Sequence, residues 1–215
     1  MRTAIVRIAI AAALLAGTAR AQDDEAWVTT PTYKPDLTLF IVNYEISGPV
    51  GSFNDYIDET SFRGGSIEFR SFLSLNFSLG MSFSWNRWEE TQDLERVSIP
   101  NGMASGPVFR YADMFGVRGL AHYYLLKDSA LRPYLGLGIG GAWNYAYQQA
   151  ADLADSQENF NFIVDPEVGL LYWFAQGGTS AALNVALRYT YTTATMGRED
   201  NAQMLSGIFG VAFGY

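Results

Sequence analysis

Large apolar residues alternate with small or polar ones in eight separate stretches of this chain. In the clearest stretch Phe77, Leu79, Met81, Phe83 and Trp85 alternate with Ser78, Gly80, Ser82, Ser84 and Asn86. A strict period of two predicts a β-strand, because successive side chains leave a strand on opposite faces. The same alternation predicts strands over Leu37–Ile46, about Phe62–Leu73, Met114–Leu126, Pro133–Tyr147, Phe160–Phe174, Ala181–Tyr191 and Leu205–Tyr215. In the last of these Leu205, Gly207, Phe209, Val211, Phe213 and Tyr215 form one face, and Ser206, Ile208, Gly210, Ala212 and Gly214 the other. One broad greasy face opposed by small residues suits a strand that presents lipid with its large side and a narrow lumen with its small side.

The connections alternate in length. Short turns centre on Ser74-Leu75, Lys127–Arg132 and Ala175–Thr179; long segments cover Ser47–Ser61, Arg87–Asp113, Gln148–Asn159 and Thr193–Ala202. Short periplasmic turns alternating with longer external loops are the outer-membrane arrangement. The predicted fold is therefore all-β, an eight-stranded antiparallel up-and-down transmembrane barrel over residues 37–215. Pro166 interrupts the sixth strand. It has no N–H for a ladder, and a closed barrel has no free edge, so a bulge or local break is expected near Asp165-Pro166.

The N-terminus changes the picture by adding export. Arg2 and Arg7 precede an apolar run from Ile8 to Ala16, and Ala19-Arg20-Ala21 reads as a cleavage site. Residues 1–21 are expected to be a removed signal peptide, and residues 22–36, polar with Pro31 and Pro35, a periplasmic lead-in. The apolar run is shorter than the roughly 20 residues that span a bilayer as a helix. Removal of Arg2, Arg7 and Arg20 takes the formal charge from −8 to −11. So acidic a chain argues against nucleic acid as a partner. It has no cysteine, hence no disulfide framework. Aromatic residues make up 15% of it, which fits girdles at two membrane interfaces. A soluble barrel is the alternative reading. Its outer face would then be Gly, Ala, Ser and Asn almost without charge, unlike the charged coat of soluble proteins.

Two stretches carry a resemblance. Phe115-Gly116-Val117-Arg118-Gly119-Leu120-Ala121-His122-Tyr123-Tyr124, followed by a short turn and Arg132-Pro133-Tyr134-Leu135-Gly136-Leu137-Gly138-Ile139-Gly140-Gly141-Ala142, resembles the small outer-membrane β-barrel family. That family includes the OmpA transmembrane domain, OmpX and opacity-type proteins. The apolar C-terminal strand resembles the segment that such proteins present to the outer-membrane assembly machinery. The resemblance implies a Gram-negative outer-membrane location and assigns that signal to Phe209, Val211, Phe213 and Tyr215.

The inward positions contain Glu45, Glu68, Arg70, Arg118, His122, Asp165, Glu167 and Arg188. An eight-stranded barrel is just wide enough for side chains to fill it. These residues are therefore expected to form an ion-pair network that plugs the lumen, with a gated ion path as the alternative. No catalytic, cofactor-binding or metal site is expected. The single histidine, His122, is placed in the lumen with Tyr124 two positions on, so the outward Ser-His pair of the lipid A deacylase type cannot be built. No cysteine and one histidine leave little for a metal. Gly136, Gly138, Gly140 and Gly141 alternate within a strand and open no phosphate-binding helix.

The four long connections hold most of the acid, and the segment 87–113 is the longest, making it the first candidate for a surface partner. The expected partners are outer-membrane lipid, lipopolysaccharide and the assembly machinery, with the protein itself a monomer. Two function classes follow. One is a non-enzymatic structural or surface-binding barrel with a plugged lumen; the other is a narrow OmpW-like channel for small molecules.

Overall fold

The computed structural model describes residues 37–99, 102–126, 129–150, 153–176, 179–193 and 201–215. The expected signal peptide and lead-in lie outside them. Eight strands run β1 (Thr38–Val50), β2 (Ser61–Ser74), β3 (Phe77–Ile99), β4 (Gly102–Tyr124), β5 (Leu131–Ala150), β6 (Leu153–Gln176), β7 (Thr179–Thr192) and β8 (Ala202–Gly214). Each pairs antiparallel with its neighbours in sequence, and β8 returns to β1 to close a barrel. Closure satisfies every edge, which is the condition for putting a sheet into hydrocarbon.

Starting from Glu45, the register can be followed round the barrel in two directions. Through Gly64, Asn86, Met114 and Asn144 it reaches β6 at Asn159; through Ile208 and Ala186 it reaches β6 at Gly169. The stagger of ten residues tilts the strands against the axis and fixes which inward side chains share a level.

The two faces are chemically inverted relative to a soluble protein. Outward positions such as Val42, Ile67, Met81, Phe83, Val117, Leu137, Ile139, Leu187 and Val211 are exposed. Inward positions include Asn43, Glu68, Arg70, Ser78, Ser82, Arg118, Asn184 and Arg188, all buried. An apolar band round the whole circumference is too large to face water and belongs against lipid. The soluble-barrel alternative fails on this point, since its greasy side would have to be the buried one.

Two expectations change. The segments 87–113 and 148–159, read as loops, are mostly strand. β3 and β4 stay paired from Phe77↔Tyr123 to Ile99↔Gly102, and β5 and β6 up to Ala150↔Leu153. By contrast β2 leaves β3 at Arg63↔Arg87, and β7 leaves β6 at Ile163↔Thr192. A four-stranded wall, β3 to β6, therefore stands above the rest of the barrel. Alternation fades there because, clear of lipid, the outward face can be polar. Glu89 and Thr91 point outward where Phe83 and Trp85 do lower down.

At Pro166 the expected break is present on one side only. Pairing with β5 runs straight through Leu137↔Pro166. Pairing with β7 stops at Val164↔Tyr191 and resumes at Glu167↔Arg188 in the same register, so there is a gap and no bulge. The missing N–H is charged entirely to the β6–β7 seam.

The connection between β1 and β2 carries one short helix, α1 (Phe53–Tyr56). It tucks Phe53 and Ile57 into the upper mouth of the barrel, both fully buried.

Candidate functional site

All eight inward ionisable residues named from the sequence are buried in the lumen, and the structure sorts them into a cluster of six and a separate pair. Arg188 on β7 is the centre of the cluster. Its Nε donates to Glu167 Oε2 at 2.7 Å, Nη1 to Glu45 Oε1 at 3.1 Å and Nη2 to Glu68 Oε1 at 2.7 Å. One guanidinium thus ties β7 to β6, β1 and β2, using the planar fork that lysine lacks. Arg70 on β2 donates from Nε and Nη2 to Glu68 Oε2, at 2.9 and 2.6 Å, and its Nη2 lies 3.5 Å from Glu167 Oε1. His122 on β4 places Nε2 at 3.8 Å from the same Glu167 oxygen. Arg118 and Asp165 form their own ion pair on β4 and β6, with Arg118 Nη1 also donating to Ser84 Oγ at 2.5 Å.

Uncharged inward residues complete the cluster, and a search for ionisable groups alone misses them. The Tyr134 hydroxyl donates to Glu167 Oε1 at 2.7 Å, and its ring lies under the Arg70 guanidinium, 4.9 Å from ring centroid to Cζ. Asn86 Nδ2 donates to Glu45 Oε2 at 3.2 Å, and Ser47 Oγ donates to Asn86 Oδ1 at 3.0 Å. Asn184 Nδ2 reaches Asn43 Oδ1 at 3.1 Å, and Asn43 Nδ2 reaches Ser66 Oγ at 3.2 Å. The available signal was the alternation itself, since each sits at an inward position of its strand. These bonds matter because an unpaired buried charge costs several kcal/mol, on the order of 3–5 when one partner is removed.

This polar layer lies between two apolar ones. Below it Leu39, Ile41, Phe72, Tyr124, Tyr134, Leu171 and Trp173 pack together, with Phe72 and Tyr124 ring centroids 4.9 Å apart. Above it Phe53, Ile57, Trp88, Met114, Ile163 and Met204 pack with Ala112, Ala142 and Ala202. Phe53 meets Trp88 edge-on at 5.3 Å, and Trp88 Nε1 donates to Ser47 O at 3.0 Å. The lid is pinned by Ser52 Oγ donating to Asn201 O at 3.0 Å and by Asp58 N donating to Glu90 Oε2 at 3.2 Å. Burial raises the pKa of Tyr56 in this lid, against the nearby Arg110 charge that lowers it.

On the outer surface above the lipid band, Arg87 grips Asp113 through Nε at 2.7 Å and Nη2 at 2.5 Å, and Trp85 Nε1 donates to the same carboxylate at 3.2 Å. Arg63 pairs with Glu89 at 2.5 Å. Three acids of the 87–113 segment, Glu89, Glu90 and Asp113, are therefore engaged by the barrel. Among the described residues Asp55, Asp58, Glu59, Asp155 and Glu158 are further exposed acids around the mouth. Among the described residues no group of three His, Cys, Asp or Glu side chains is placed to hold a metal ion. The His122 ring packs against the Tyr124 and Tyr134 rings, with Ser78 as its cross-strand partner on β3 and Nε2 toward Glu167.

The C-terminal residues Phe209, Val211, Phe213 and Tyr215 are exposed on the outward face of β8. Thr38 and Tyr215 exchange backbone hydrogen bonds of 3.2 and 3.1 Å, which finishes the β1–β8 seam.

No family model matches the chain, and no curated protein matches it in sequence. Its fold does have solved counterparts among small eight-stranded outer-membrane β-barrels. Ail, the attachment invasion locus protein of Yersinia pestis, solved with the heparin analogue sucrose octasulfate, aligns at a TM-score of 0.54 and 11% identity over 85% of this chain and 100% of that one. Neisserial surface protein A aligns at 0.52 and 13% identity over 85% of this chain and 98% of that one.

Proposed function

We propose that this chain is a non-enzymatic outer-membrane barrel that acts from its extracellular surface, stabilising the envelope or binding a partner, with its lumen sealed. The observation that carries the reading is the stacking of an ion-paired charged layer between two apolar layers. A path for a polar solute would have to cross both apolar layers and break buried ion pairs between them. That leaves the outer surfaces for function, and the wall of β3 to β6 rises above the rest of them.

The chemistry of the surface also favours one class of partner. Asp55, Asp58, Glu59, Asp155 and Glu158 are exposed around the mouth. Their field repels a sulfated polyanion of the kind bound to Ail and attracts a cationic partner.

Planar-bilayer recording of the refolded protein tests the sealed lumen, with no steady conductance expected. Persistent porin-like current would support the narrow-channel reading instead. For the surface role, Asp55, Asp58, Asp155, Glu59 and Glu158 are replaced by Asn or Gln, and adhesion of cells displaying each form to a polylysine-coated surface is compared. Adhesion is expected to fall with the neutralised mouth and with added salt. Equal adhesion of both forms would count against it.

A further inference from the structure

Near its upper end the β6–β7 seam has a gap in pairing with no change of register, whereas the interruptions in the β1–β2, β2–β3 and β3–β4 seams are register shifts. Above the gap at Asp165-Pro166 only Ile163↔Thr192 and Val164↔Tyr191 are paired. Above those, Thr193 closes the seam partly with its side chain: its N–H donates to Phe162 O at 3.0 Å, while its Oγ1 accepts from Phe162 N at 3.2 Å. The strands on either side are firmly held elsewhere. β6 pairs with β5 without interruption from Ala150↔Leu153 to Leu131↔Tyr172, and β7 pairs with β8 from Ser180↔Gly214 to Thr192↔Ala202. Tyr189 even adds a side-chain bond toward β8, its hydroxyl donating to Gln203 Oε1 at 2.8 Å.

Two other features converge on the gap. On the lumen side Glu167 and Arg188, the first cross-strand partners below it, are bonded at 2.7 Å from both Nε and Nη2 to Glu167 Oε2. On the lipid side a groove of about 250 Å³ is lined by Pro166, Glu167, Val168, Leu187, Tyr189 and Leu205. A ladder interrupted by proline and hollowed on its lipid side, joined across the lumen by the Glu167–Arg188 ion pair and, lower down, by the Tyr134 hydroxyl, 2.9 Å from Asn184 Oδ1, has little to lose on separation of its upper end.

We propose that the upper β6–β7 seam is a built-in joint at which the barrel wall opens toward the bilayer, latched from the lumen by the Glu167–Arg188 ion pair. Opening separates two intact sheets, β6 with β5 and β7 with β8, and brings the groove up to the Glu167 side chain. The joint is independent of what the extracellular wall binds.

Amide hydrogen exchange of the full refolded protein in lipid nanodiscs tests this. The amides of Val164, Tyr189 and Tyr191, whose N–H groups point across the β6–β7 seam in the alternation set by Thr193 N–H donating to Phe162 O, are expected to exchange about tenfold faster or more than those of the β1–β8 seam, as a local opening requires. Glu167→Gln, which keeps the shape and removes the charge, is expected to speed the β6–β7 amides further and leave β1–β8 unchanged. The chain has no cysteine of its own, so Val164→Cys with Tyr191→Cys creates one disulfide across the seam. It should slow these amides to the β1–β8 level until reduced. The proposal is overturned if the two seams exchange alike in the unaltered protein, or if the disulfide changes nothing. It is equally overturned if Glu167→Gln loosens all seams together. Should Glu167→Gln fail to refold, the unaltered protein and the disulfide form decide the matter.

Discussion

Tyr134 and Gly169 are direct cross-strand partners on β5 and β6, and the tyrosine ring occupies the space that a Cβ on Gly169 would need. With no side chain opposite it, the ring swings across β6 and its hydroxyl reaches Glu167 at 2.7 Å. The glycine is thus a condition for the contact between the lower apolar layer and the charged layer. Gly169→Ala is expected to displace the ring, break the Tyr134–Glu167 bond and destabilise the barrel by about 1–3 kcal/mol, the usual cost of overpacking. Urea unfolding in detergent, followed by tryptophan fluorescence, measures it. Tyr134→Phe separates the hydrogen bond from the packing and should cost about 1 kcal/mol.

Arg188→Met removes the cation shared by Glu45, Glu68 and Glu167. Glu68 and Glu167 then keep Arg70, while Glu45 is left with the Asn86 amide alone. Destabilisation of about 3–5 kcal/mol is expected, because uncompensated buried charge remains. The same measurement on Arg118→Met should show a loss independent of the first: Arg118 pairs with Asp165 and not with the cluster. Strong coupling in the double variant would show that the lumen is one network and not two.

Leu137 faces lipid opposite Pro166, in the middle of the β5–β6 ladder. Leu137→Arg is expected to cost about 2–4 kcal/mol in folding into vesicles, as charge does at the bilayer midplane. A substitution at an outward position of the raised wall, such as Thr91→Arg, should be close to neutral. Equal costs would mean that the lipid band is misplaced.

Phe53→Ala with Trp88→Ala empties the upper apolar layer, where the two rings meet at 5.3 Å. Stability is expected to fall by several kcal/mol, about 3–5 for each large ring lost from a packed site. Bilayer recordings should still show no steady conductance, because the charged layer and the lower aromatic layer remain. Current from this variant alone would show that the lid, and not the charged layer, is the seal.

The side of the wall on which each residue falls was legible in the sequence, since it depends only on the period of two along a single strand. Phe83 and Ser82, or Val117 and Arg118, could be assigned without knowing any other strand. The break at Pro166 was equally legible, because a missing N–H is a local property; that the loss falls on β7 and spares β5 was not. The height of β3 to β6 was hidden too, since strands that leave the membrane lose the alternation that marks them.

Which inward groups meet depends on the closed ring. Arg188 binds Glu45 and Glu68 from 143 and 120 residues away, while Asp165, its closer neighbour in sequence, is taken by Arg118. Those choices follow from the ten-residue stagger of the closed barrel, a property of all eight registers together. Alternation along single strands puts a set of charges inside that must be compensated; closure of the ring selects their partners.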